Sequence, residues 1–169
     1  MIETAFADLL PQRRALMDAT GSLRAVVRDD LRRLVPVARG VLNALALDPL
    51  TAVPRAGLAI TALPWQELAR AFEAMAATGQ LGPDVLAACV ADLCAVTDGA
   101  ALAQLETALA TQGDDRLRRL ALAALVASAS LAEGWNEDRL RRLRDYRQDQ
   151  SPLVAAAAQF TFPPEEGQA

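Results

Sequence analysis

The side chains able to do chemistry in this chain are few in kind. All 17 cations are Arg, with no Lys and no His. Without His there is no His-based triad, no imidazole metal ligand and no histidine pH switch. Without Lys there is no P-loop lysine and no Schiff base. Cys89 and Cys94 stand five residues apart. That spacing matches neither a CxxC pair nor one helical face, so both read as buried free thiols. The adjacent carboxylates Asp114-Asp115 and Glu137-Asp138 fall at expected helix starts, where capping accounts for them. General acid–base catalysis needs a pocket and tuned neighbours, and no pair in the sequence announces one. The residues therefore predict a non-enzyme with no cofactor and no metal.

Charge is distributed unevenly. Residues 1–40 and 114–147 each carry a net +2, while 41–113 carry −5 and 148–169 carry −3, for a total of −4. Phosphate contacts supply most non-specific nucleic-acid affinity, so the acidic total argues against a nucleic-acid partner. The second cluster holds Arg116, Arg118, Arg119, Arg139, Arg141, Arg142, Arg144 and Arg147. It reads first as solvated helix faces and ion pairs between neighbouring elements, and second as a basic surface for an acidic partner. Trp135, in the Gly134-Trp135-Asn136 connection, reads as a staple on the following helix or as a partner anchor. Phe160 and Phe162 read as the seal of the last helix pair. Phe162, beside Pro163-Pro164, is also a place for a partner to dock. The candidate partner-binding residues are Arg139, Arg142, Trp135 and Phe162.

The elements that position these groups are short helices. Ala (37) and Leu (27) dominate a chain with only two Ile and 4% aromatic residues, which favours helix over strand. High Ala and Arg with scarce Lys and Ile also suits a GC-rich bacterial source. Start and stop residues predict helices near 3–10, 11–20, 23–46, 50–62, 64–78, 83–96, 99–112, 115–132, 137–148 and 152–160. Pro49, Pro64 and Pro83 act as openers, and Asp98, Asp114, Asn136 and Ser151 as caps. In 23–46 the residues Val27, Leu31, Leu34, Ala38, Val41 and Leu45 form one apolar stripe, with Pro36 expected to kink or split the helix. No positively charged leader with an apolar core opens the chain, and no run reaches the length of a membrane span. The expectation is a cytoplasmic protein of one all-α domain over 1–162, with 1–46 preceding helix pairs in 47–162, and a frayed tail at 163–169.

An internal repeat favours an open stack of helix pairs over a closed bundle. Asp114-Asp115-Arg116-Leu117-Arg118-Arg119-Leu120-Ala121 has an Asp before the helix, a branched residue three on, a basic residue next, and Ala at packing positions. Asp149-Gln150-Ser151-Pro152-Leu153-Val154-Ala155-Ala156 repeats it, with Val154 on Leu117 at an offset of 37. Val85-Leu86-Ala87-Ala88-Cys89 can be laid on Leu117–Ala121 at an offset of 32. Periods in this range are those of helical-pair arrays. Over roughly 64–162 the chain resembles HEAT-repeat proteins. The closing segment Leu140–Glu166 is similar to the last repeat of bacterial HEAT arrays, some of which follow NACHT-type NTPase modules in defence proteins. The resemblance implies a short α-solenoid and a non-catalytic sensing or scaffolding role toward a protein partner. In such an array the Asp caps its helix, and the Arg can reach the Asp of the adjacent repeat. No NTPase signature is present, and metal hydroxylation on this scaffold would need His. A self-associating bundle built on the 23–46 stripe and a small-molecule-binding helical protein are the alternatives.

Overall fold

A computed structural model of the chain describes residues 14–15, 18–20, 22–26, 31–46, 48–131 and 134–163, and of residues 31–34 the backbone alone. Among the described residues every regular element is helical. None of these helices is long and apolar enough to cross a membrane. The chain divides into two compact units between Leu63 and Pro64. The expected helix at 3–10, most of that at 11–20, and the tail beyond Pro163 lie outside the described residues.

The first unit contains α1 (Leu31–Ala44), a 3₁₀ turn at Pro49–Thr51 and α2 (Ala52–Ala62). Residues 22–26 are also helical. Asp48 caps the 3₁₀ turn by accepting from the Leu50 amide at 3.0 Å. Helices α1 and α2 pack through Ala38, Leu58 and Ala62, with Leu23, Val41 and Leu42 against them. The stripe read from the sequence thus faces the core at Ala38, Val41 and Leu45, while Val27 and the side chains of Leu31 and Leu34 lie outside what is described. Pro36 sits within α1, which runs on past it. The missing Pro36 amide leaves one bond of the helix unmade. Arg55 is buried and donates to the Leu45 carbonyl, and burial lowers its pKa.

The second unit contains α3 (Trp65–Ala77), α4 (Pro83–Leu93), α5 (Gly99–Ala110), α6 (Asp115–Ala129), α7 (Glu137–Arg147) and α8 (Pro152–Gln159). Its helix starts follow the cap residues. Asp98 accepts from the Ala101 amide, Asp114 from Arg116, Asn136 from Arg139 and Ser151 from Leu153. Each satisfies one of the amides that a helix start leaves unbonded. After α3 the chain turns through Gly79 at φ +71°. The Gln80 amide donates to the Met75 carbonyl at 2.8 Å and the Gly79 amide to Ala76 at 3.1 Å, a Schellman ending. This turn brings the fully buried Leu81 inward ahead of α4.

Helix α6 is the centre of the unit. It packs against α3, α4, α5, α7 and α8. Eleven of its fifteen residues are buried, and its Ala- and Leu-rich stretch 120–129 is buried on nearly every side. The sequence identifies one core face, Leu117, Leu120, Ala121, Ala124 and Leu125. All five are buried, and so are Leu122, Ala123 and Ala127 on other sides. Small Ala side chains let five neighbours approach one helix. Besides these contacts α3 packs on α5, and α7 on α8.

Candidate functional site

Three of these helices enclose a groove of about 670 Å³. Leu86, Ala87 and Val90 line it from α4, at positions i, i+1 and i+4, which share a face. Asp115, Arg116 and Arg119 line it from α6 at the same spacing, and Leu153 from α8. The turn Leu81-Gly82-Pro83 closes one side. The lining is mainly apolar, so its charges decide what it can hold.

Two of those groups already have partners, Arg116 an anionic one and Asp115 a neutral one. Arg116 Nε donates to Asp114 Oδ1 at 2.9 Å, its Nη2 pairs with Asp114 Oδ2, and the same nitrogen donates to the Ala76 carbonyl at 3.1 Å. The hydrogen bonds from Arg116 hold the Asp114 carboxyl below its ordinary value. Asp115 Oδ2 accepts from Ser151 Oγ at 2.7 Å, tying α6 to α8. Arg119 is different. It is half-buried, burial lowers its pKa, and it makes no hydrogen bond or ion pair among the described residues. The groove therefore offers aliphatic surface and, beside the Asp115 carboxylate, one guanidinium with its donors unused.

A second hollow, of about 300 Å³, lies between α5 and α7. Its centre is Glu106, a carboxylate only 3% exposed. Glu106 accepts from the Tyr146 hydroxyl at 2.9 Å and pairs with Arg142, whose Nε also lies 3.2 Å from Asp138. Burial, then the Glu106 charge and its hydrogen bond, raise the Tyr146 pKa far above the usual phenol value. The phenol stays protonated, and the Glu106 carboxylate is taken up by Tyr146 and Arg142. At one edge Arg118 grips Asp149 with two bonds, of 2.8 and 3.0 Å, and donates to the Gln112 and Gly113 carbonyls. The bonds from Arg118 hold Asp149 below the ordinary carboxylate value. Its other oxygen contact is the Ser151 amide at 2.7 Å. These groups join α5 to α7 and α6 to the start of α8, which is a structural task.

The four residues singled out from the sequence do not converge on one site. Arg139 is buried and donates to the Gly134 carbonyl. Arg142 is taken up by Glu106 and Asp138. Trp135 is half-buried ahead of the Asn136 cap. Phe162 is exposed, as is Phe160, so the expected seal on the last pair is not made; Val154 and Ala158 bury the inner side of α8 instead. Cys89 is buried as expected, but Cys94 is exposed. Five helical residues turn the second thiol through about 140°, off the buried face. Arg116, which the helical phase predicts to be a freely exposed position, is half-buried and bonded to Asp114 and Ala76. Arg118 does reach Asp149, ahead of α8.

Two residues of the site escape sequence reading. Glu106 shares the buried face of Leu102, Leu105 and Leu109, and a carboxylate in an apolar stripe is a signal for a distant partner. Arg119 stands in the sequence as one arginine among eight, and only the packing separates it from its paired neighbours. No protein-family model, curated protein or solved structure matches the chain.

Proposed function

We propose that this chain is a non-catalytic protein-interaction scaffold: a short HEAT-like array whose α4–α6–α8 groove docks a segment of a protein partner. The array reading draws support from the order of packing. Helix α4 lies on α6 and α6 on α8, while α3 lies on α5, so alternate helices stack in two series. The Arg118–Asp149 pair, 31 residues apart, links successive units at equivalent turns.

The observation that carries the docking reading is Arg119. The other described arginines of 114–147 are engaged with carboxylates or backbone carbonyls. Arg119 alone among them faces an apolar groove with its donors unused. An occupant with aliphatic or aromatic side chains and one carboxylate complements both features, since a charge-assisted bond in a sheltered site is stronger than one in water. Selection from a displayed random-peptide library on the folded protein tests this. Enriched peptides should carry an acidic residue beside apolar ones, and should lose binding to Arg119→Ala and Val90→Asp. Enrichment of no peptide sensitive to these substitutions would overturn the reading.

A further inference from the structure

The groove has a chemical counterpart on the same chain. Beyond α8 the backbone is pinned by Arg147, whose Nη2 donates to the Thr161 carbonyl at 2.8 Å and whose Nε donates to Ala158 at 3.3 Å. The Thr161 amide also donates to the Ala158 carbonyl, at 3.1 Å. Yet the two phenylalanines on this fixed stub point to solvent, at 81% and 78% exposure for Phe160 and Phe162. They are followed in sequence by Pro163-Pro164-Glu165-Glu166. The segment reads aromatic, aromatic, acidic, acidic, against a groove that is aliphatic and carries the unpaired Arg119.

We propose that the Phe160–Glu166 segment of one copy of this chain docks in the α4–α6–α8 groove of a second copy, its aromatic rings on the apolar lining and a glutamate carboxylate on Arg119. This names the partner of the groove, and so rests on reading the groove as a protein-docking site. Helix α8 carries both halves: Leu153 lines the groove and Phe160 ends the helix. A reciprocal exchange of segments about a two-fold axis gives a closed pair rather than a filament. The size is adequate for a weak dimer. Burying both rings and the groove surface they cover, twice over, removes about 900 Å², in the range of weak, transient contacts. A concentration-dependent dimer follows.

Sedimentation velocity on the full chain, over a concentration series, tests the proposal. The mass should rise from one copy to two, and Phe160→Ala/Phe162→Ala should hold it at one. Arg119→Glu should also abolish pairing, and Glu165→Arg/Glu166→Arg in the same chain should restore it. A fluorescent peptide of residues 159–169 should bind the Phe160→Ala/Phe162→Ala chain saturably. Arg119→Ala, with helicity confirmed by circular dichroism, should weaken that binding about tenfold or more, as loss of a charge-assisted bond predicts. A wild-type chain that stays single at every concentration overturns the proposal, as does a dimer that survives removal of both phenylalanines. If the peptide fails while library-selected peptides still bind the groove, the self-pairing falls and the docking reading stands. If both fail, both fall.

Discussion

Replacing Arg118 with Met should destabilise the second unit by about 3 kcal/mol, because it strips a nearly buried carboxylate of its partner. The Arg118 and Asp149 side chains are 10% and 11% exposed, so water replaces little of what is lost. Arg118 makes two bonds to the carboxylate and two to backbone carbonyls, while Asp149 keeps the Ser151 amide. Residual partners on both sides put the loss at the low end for a buried pair. Asp149→Asn should cost a similar amount. The double variant should cost about 4 kcal/mol, leaving a coupling energy of about 2 kcal/mol. Urea melts followed by tryptophan fluorescence report on this unit, since Trp65 and Trp135 both lie within it. Acid adds a second arm. The Asp149 carboxyl is held below 3.8, so the stability it contributes is complete above 3.8 and fades as pH falls through the depressed value. Wild type should therefore weaken more steeply in acid than Asp149→Asn. A coupling energy under about 0.5 kcal/mol, or equal acid slopes, would refute the clamp between α6 and α8.

Other outcomes follow from the same packing. Leu120→Ala should cost roughly 2–5 kcal/mol through its cavity, and Ala121→Leu roughly 1–3 kcal/mol through overpacking, both read by thermal melts. Tyr146, the single tyrosine, should show no phenolate absorbance on alkaline titration until the fold is lost; ionisation near the ordinary value of 10.0 would contradict its burial against Glu106. A thiol reagent should modify Cys94 rapidly in the native protein and Cys89 only on unfolding; rapid modification of both would place Cys89 wrongly.

Helix starts were legible because capping is local: Asp98, Asp114, Asn136 and Ser151 each bond an amide two or three residues away. The buried face of α6 was legible from its period. Its burial on other sides was not, because five packing partners come from elsewhere in the chain. The same limit explains Glu106, whose partners Arg142 and Tyr146 lie 36 and 40 residues on. Phe160 and Phe162 read as core by type, but the short α8 turns its inner side inward through Val154 and Ala158 and leaves them beyond its end. The candidate site suffered most. Arginine type and count drew attention to Arg139 and Arg142, which the fold consumes, while Arg119 acquires its character only from the groove around it.

Amide hydrogen exchange of the chain, with and without a saturating library-selected peptide, bears most directly on the docking groove. The account predicts added protection confined to the groove-lining stretches, around 81–90, 115–120 and 153–156. Protection confined to the α5–α7 side around Glu106 and Tyr146, or spread evenly over the chain, would contradict it.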